Sequence, residues 1–353
     1  MLETVQKKKF LGDVVILRLI LIFFLIWNHS FAPYVGEGGS WSYFEGFPDI
    51  PLYKWFAIAT HYMRFQTLIF ISGYLCGYTA NRKSDALTFQ KCVVKKMKRL
   101  LLPSIIFSVI YYILFMDLHA PVGQMIYSIL NGCGHLWFLP MLFWCFVFLY
   151  FVEKFKINPF IVLTISIIGS CTSAGELPFR LTAAITYFVF FYLGFGIQRE
   201  AFSFVKTSKP LTLSIVAFGV YIVGLLSLQW WVTPDIFQQE PQLILKGILY
   251  VSWKTLIFIV SLSGLLFCYW ISRYYISIKG NEVGFTLIKL STYCYGVYIC
   301  QQFILQVMYY KTDAPELLGP YFLPWAGIVI TLIVSLALTH YMLKTNVGRF
   351  LIG

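Results

Sequence analysis

Val14 to Tyr34 reads VVILRLILIFFLIWNHSFAPY, an apolar run that carries Arg18 near its start and His29 near its end. About 20 helical residues at 1.5 Å each cross a ~30 Å hydrocarbon core, so the run is long enough to span a bilayer. A charged group inside such a span costs roughly 2.5–3.5 kcal/mol on insertion scales and is rare without a role. Arg18 and His29 are eleven residues apart. At about 100° per residue this is three turns plus ~20°, which puts both side chains on one helix face, about 16 Å apart along the axis. Taken singly, an arginine near a helix end can snorkel to lipid phosphates, and a histidine near the other end can sit wet in the interface. Together on one face they predict a single site reached from both sides of a membrane.

The rest of the chain agrees with a membrane setting. Of its 353 residues 59% are hydrophobic, 19% aromatic and only 12% charged, and the mean hydropathy is +0.75. A soluble domain carries about 25% charged residues, so the expected fold class is all-α, a polytopic integral membrane protein. No gap between the runs is long enough for a soluble domain, which predicts one integral domain over 1–353. The opening MLETVQKKKF followed by an apolar run superficially resembles a signal peptide. That run is too long for an h-region and no small-residue cleavage site follows, so it is read as a retained first span. The formal net charge of +12 raises nucleic acid as a partner, but the basic residues cap spans instead of forming a patch, so none is expected. The eight cysteines show no CxxC and no zinc spacing, and no metal is expected. Cys133 and Cys171 both fall in loops expected outside, which leaves a disulfide between them open.

Runs bounded by charge or turn residues predict about ten transmembrane helices. They cover roughly 14–34, 55–79, 100–118, 135–152, 158–173, 181–198, 211–231, 247–270, 286–310 and 321–343. One set of alternate segments holds Lys7, Lys8, Lys9, Arg82, Lys83, Lys91, Lys95, Lys96, Lys98, Arg99, Lys154, Lys156, Arg199, Lys206, Lys209, Arg273, Lys279, Lys289, Lys344 and Arg349. The other set holds only Lys54, Arg180, Lys246 and Lys311. Arg18, Arg64 and Lys254 lie within spans. Twenty basic residues of 27 on one side predict that side, with both termini, to be cytoplasmic. The outer loops are mildly acidic, with Glu37, Glu45, Asp49, Asp117, Glu176, Asp235, Glu240, Asp313 and Glu316. GEGGSWSYFEGF in the first of them suits contact with a polar, sugar-like molecule, or is a plain solvated loop.

In this orientation Arg18 is near the cytoplasmic face and His29 in the outer half. The second span carries His61 and Arg64, an i,i+3 pair, with Arg64 at a depth similar to His29. Helices joined by a short loop usually pack together, so Arg64 and His29 are expected to be neighbours. KCVVKKMKRLLLP then gathers Lys95, Lys96, Lys98 and Arg99 just before Pro103. Such clusters bind inner-leaflet headgroups, and Lys96 with Arg99 also has i,i+3 spacing for the phosphates of a cytoplasmic ligand. NGCGHLWFLP places His135 and Trp137 at the outer interface. STYCYGVYICQQF puts Gln301 and Gln302 inside the ninth span, where glutamines are costly unless they hydrogen-bond or face a cavity.

These segments in this order resemble the membrane-bound acyltransferase family 3, whose members O-acylate bacterial surface glycans and related molecules. The parts that carry the likeness are Arg18-x10-His29, IFISGYLCGY (Ile69 to Tyr78), KKMKRLLLP, GHLWFLPML (Gly134 to Leu142), FFYLGFGI (Phe190 to Ile197) and YGVYICQQ (Tyr295 to Gln302). Each is weak singly, while their order and spacing span nearly the whole chain. The resemblance implies a multi-pass protein of the bacterial plasma (inner) membrane. Its donor would be acyl-CoA, most often acetyl-CoA, from the cytoplasm. Its acceptor would be a hydroxyl of a carbohydrate or lipid-linked glycan. It implies that His29 is the essential histidine, as general base or acyl carrier. Arg18 would be its basic companion toward the donor, and Lys96 with Arg99 would match an Arg-x-x-Arg donor pair. This chain departs from the family at two places: Gln301 stands where members often have a second histidine, and Lys96 replaces an arginine, keeping charge but losing bidentate geometry.

A neutral imidazole suits proton removal from a sugar hydroxyl. Arg64, Gln301 or a backbone N–H are the candidates for the developing oxyanion. His135, Trp137 and Gln301 are candidate acceptor contacts. Two alternatives stay open: a secondary transporter or flippase for a polar solute, which also uses buried ionisable residues, and a structural or sensory subunit that tolerates changes at Arg18 and His29.

Overall fold

The computed structural model describes residues 11–36, 41–44, 46–83, 85–230, 242–279 and 283–353. Lys7 to Lys9, Glu37, Glu45, Asp235 and Glu240 lie outside the described residues, as does the last residue of the seventh expected run. The described residues are all-helical, with no strand. The helices are α1 (Gly12–Phe31), α2 (Pro51–Ile58), α3 (His61–Arg82), α4 (Leu102–Phe115), α5 (Val122–Asn131), α6 (Phe138–Lys154) and α7 (Pro159–Thr172). There follow α8 (Leu181–Gln198), α9 (Pro210–Trp230), α10 (Leu243–Ile278), α11 (Phe285–Tyr310), α12 (Ala314–Met342) and the short α13 (Asn346–Ile352). Helix is the economical answer in lipid, because each segment satisfies its own backbone groups.

Seven segments are long and apolar enough to cross a membrane among the described residues: Gly12–Tyr34, Gln90–Phe115, Gly134–Lys154, Pro178–Gln198, Pro210–Gln229, Leu243–Ile278 and Ala314–Met342. The other expected runs fall on α3, α7 and α11. α7 is apolar but only 14 residues long, and α3 and α11 carry many polar side chains. Several boundaries move outward from the sequence expectation. The third span is helical from Gln90, twelve residues before the start of α4, through two π-helical turns at Gln90–Val94 and Met97–Leu101. All eight cysteines are free thiols, so Cys133 and Cys171 are not bridged.

α1 runs through the middle of the bundle and packs against α2, α3, α10, α11 and α12. Leu17, Leu21 and Leu25, one turn apart, are buried, whereas Ile20 and Phe23 on the other side are exposed. At its start Asp13 is buried, accepts a hydrogen bond from Tyr74 Oη at 3.3 Å and lies 3.6 Å from Arg273 Nη1, joining α1 to α3 and α10. α3 and α8 cross at a glycine contact. A Cβ on Gly73 would collide with the Phe191 carbonyl, and one on Gly194 with the Phe70 carbonyl. Small residues let two backbones approach where lipid supplies no hydrophobic drive.

Two irregularities position polar side chains in the interior. The expected second span is broken at Ala59–Thr60, between α2 and α3. The freed carbonyls find side chains: Tyr221 Oη donates to Ala59 O at 2.9 Å, and Asn28 Nδ2 donates to Ala57 O. α3 therefore starts inside the bundle, with His61 and Arg64 in its first turn. The second irregularity is the turn before α6. Gly132 (φ 81°) and Gly134 (φ 55°) both lie in the left-handed region, and a Cβ on Gly134 would press on the Tyr111 ring at 2.8 Å. Glycine alone tolerates both demands, and the turn carries His135 inward.

Candidate active site

His29 closes the last turn of α1 and is buried. Its Nδ1 lies 2.9 Å from Gln301 Oε1 on α11. An amide oxygen only accepts, so Nδ1 carries the hydrogen and Nε2 is left with the lone pair that can take a proton. The Trp41 ring lies 5.5 Å from the imidazole, tilted by 43°. Arg64, His135 and His61 act on it electrostatically. Arg64 is 3% exposed, with its guanidinium carbon 4.8 Å from the centre of the Phe65 ring. His29 and Arg64 line the same cavity, and the break before α3 puts Arg64 in the first turn of that helix.

His135 is buried too, and its Nε2 donates to Ile299 O at 3.0 Å. Tyr298 Oη donates to His135 O at 2.6 Å, and Gln302 Nε2 donates to Tyr111 Oη at 3.2 Å. Tyr298, Ile299, Gln301 and Gln302 of α11 thus bond to His135, His29 and Tyr111 through four polar contacts. With Nε2 engaged as donor, His135 presents only Nδ1 as acceptor.

His29, His61, Arg64, His135 and Trp137 line one cavity of about 1520 Å³. Its walls also include Asn28, Trp41, Tyr111, Tyr187, Trp253, Lys254, Gln302, Gln306 and Tyr310, and its rim carries Asp117, Glu176, Arg180 and Lys311. Small-molecule pockets are usually about 300–1,000 Å³, so this one has room for several sugar units. Gln301 is fully buried behind His29 and is not on the wall. It orients the imidazole, and Gln302 and Gln306 are the glutamines that face the cavity.

Arg18, Lys96 and Arg99 are placed elsewhere. Arg18 is half-buried, three turns down α1 from His29 and off the cavity wall, where Cys294 and Arg99 act on it electrostatically. Lys96, between the two π-helical turns, rests its ammonium 4.0 Å above the Phe146 ring. Arg99 is exposed, and its carbonyl accepts a hydrogen bond from Tyr295 Oη at 3.2 Å. The expected site residues therefore divide into a basic group at one end of α1 and an imidazole group in the cavity at the other. Tyr295 and Tyr298, stacked at 6.3 Å, stand between them on α11.

Sequence reasoning did not single out Trp41, Asn28, Tyr111 or Tyr187. Trp41 had a faint signal as the aromatic of a polar loop, and Asn28 as the polar neighbour of His29. The two tyrosines look like any aromatic in an apolar run. Among the described residues no three His, Cys, Asp or Glu side chains are grouped to hold a metal.

A fold of apolar helices around a buried imidazole and guanidinium defines a multi-pass membrane protein with a polar interior cavity. The family described as an acyltransferase domain, acyltransferase family 3, matches residues 13–342, and the chain belongs to that family. No curated protein and no solved structure matches the chain.

Proposed function

We propose that the protein is an O-acyltransferase that moves an acyl group, acetyl above all, from acyl-CoA to a hydroxyl of a surface polysaccharide, glycolipid or related acceptor. It works in the bacterial plasma membrane with ten spans and both termini in the cytoplasm. The observation that carries this reading is the buried His29, held by Gln301 in one tautomer on the wall of a cavity large enough for a glycan. Family membership supports acyl transfer in general, and the side chains supply the rest of the chemistry.

The CoA phosphates bind at Arg18, Lys96 and Arg99, and the flexible pantetheine arm carries the thioester along α1 toward His29. Nε2 of His29 takes the proton of the acceptor hydroxyl as its oxygen bonds to the acyl carbon. Negative charge on the tetrahedral oxygen is met by the guanidinium of Arg64. The carbon–sulfur bond then breaks, the proton on Nε2 passes to the leaving thiolate, and the ester and free CoA-SH result. His135 and Trp137 contact the acceptor.

Membrane vesicles given acetyl-CoA labelled in the acetyl group test this. The intact protein transfers label to glycan or lipid, and His29→Ala abolishes transfer while still inserting and accumulating. Full transfer in that variant overturns the mechanism. Solute uptake without acyl chemistry, unaffected by His29→Ala, would point to a transporter.

A further inference from the structure

Lys254 stands in the apolar helix α10, half-buried, on the wall of the cavity that holds His29. The reaction above does not use it. Among the described residues it makes no hydrogen bond and no ion pair. A cation within a spanning helix is costly, and such residues pair with an opposite charge or serve a ligand. The other charges on the wall leave it uncompensated. Glu176 already lies 3.6 Å from Arg180, whose Nε also donates to Asn131 O at 3.1 Å. Asp117 is turned back on its own loop, accepting from His119 N at 2.8 Å.

The surroundings of Lys254 fit a sugar. Tyr250 and Trp253, in the turn before it, have ring centres 6.0 Å apart and both line the cavity. Tyr250 Oη donates to Ser173 O at 2.7 Å, which pins this part of α10 to the end of α7. Aromatic faces next to a cation suit a pyranose ring that bears an anionic substituent, with stacking on the C–H face and a charge-assisted hydrogen bond to the substituent.

We propose that the acceptor is an anionic glycan whose phosphate or carboxylate group is held at Lys254 while a hydroxyl elsewhere on the same molecule meets His29. This deepens the acyl-transfer reading and rests on it.

The test begins with the product. Membranes containing the full chain are given acetyl-labelled acetyl-CoA, the unreacted donor is removed by gel filtration, and the labelled product, extracted with its ester intact and shown on a separate portion to be alkali-labile, is applied to an anion exchanger at neutral pH. Retention is expected. Loss of retention after mild acid, which splits a lipid-linked pyrophosphate, identifies a lipid phosphate. Loss after carbodiimide amidation identifies a sugar carboxylate. Label that passes through unretained overturns the proposal. His29→Ala separates the two levels: transfer that survives it overturns acyl transfer at this site, whereas a neutral product that needs His29 overturns only the anionic acceptor. With the retained acceptor fraction as substrate, Lys254→Met raises the apparent KM for acceptor about 10- to 100-fold, and Lys254→Arg stays within about threefold. Both are scored on protein whose size-exclusion profile in detergent matches the parent. An unchanged KM in Lys254→Met overturns the role of Lys254. If that variant does not fold, the charge of the product decides.

Discussion

Replacing Gln301 by methionine keeps the side-chain length and apolar volume but removes the oxygen that lies 2.9 Å from His29 Nδ1. The size of the effect follows from what that bond does during proton transfer. In the ground state it joins two neutral groups and contributes about 0.5–1.5 kcal/mol. As Nε2 gains a proton the ring becomes cationic, and the same bond then contributes about 1.5–3 kcal/mol. The difference, roughly 1–1.5 kcal/mol, acts on the barrier and corresponds to about 5- to 15-fold in kcat. The proposed acetyl-CoA site at the other end of α1 does not involve this contact, so the apparent KM for acetyl-CoA is expected to move less than twofold. Steady-state transfer of labelled acetyl in vesicles, with the variant quantified by blot, gives both constants. Gln301→Glu keeps an acceptor oxygen in place and is expected to retain more activity than Gln301→Met. A kcat unchanged in Gln301→Met, or a loss expressed wholly in KM, would refute the positioning role.

Lys96→Ala combined with Arg99→Ala removes two cations from the expected donor end, and should raise the apparent KM for acetyl-CoA at least tenfold with a smaller effect on acceptor use. Saturation curves for the two substrates in the same vesicles check it. Gly73→Ala forces a Cβ against the Phe191 carbonyl in the α3–α8 crossing, an overpacking that costs about 1–3 kcal/mol and lowers the thermal midpoint in detergent. Gly123→Ala, with open space around it, should leave that midpoint unchanged. Burial pushes the Cys133 thiol up to about 11, so its thiolate is scarce at neutral pH. With the other cysteines replaced, alkylation of Cys133 should rise about tenfold per pH unit from 7 to 9. A plateau by pH 9 would count against a thiol so perturbed.

His29 and Arg64 were legible as a pair because both are titratable groups inside apolar runs, and lipid penalises such groups wherever they stand. Chain order gave the expectation that they lie close, since consecutive helices pack together, and the fold puts both on the wall of one cavity. Gln301 was legible as an expensive polar residue, but its partner was not, because it bonds to a side chain 272 residues earlier. The break at Ala59–Thr60 was hidden for a similar reason. No proline or glycine marks it, and what makes it tolerable is a hydroxyl from Tyr221 and an amide from Asn28, each far away in sequence. Lys254 was visible as a cation in a span, while the aromatic pair beside it and the cavity it faces emerge only from the fold.

Local chemistry along the chain decided that this protein is helical and belongs in a membrane, and which side chains are too polar for lipid without a task. Those properties are set residue by residue, by transfer free energy and by a backbone that must satisfy itself. Only the packed bundle decided that α1 lies at the centre, that Gln301 selects the tautomer of His29, and that the basic and imidazole groups occupy opposite ends of one helix. Contacts between helices depend on shape and hydrogen-bond geometry across hundreds of residues, and no local pattern encodes them.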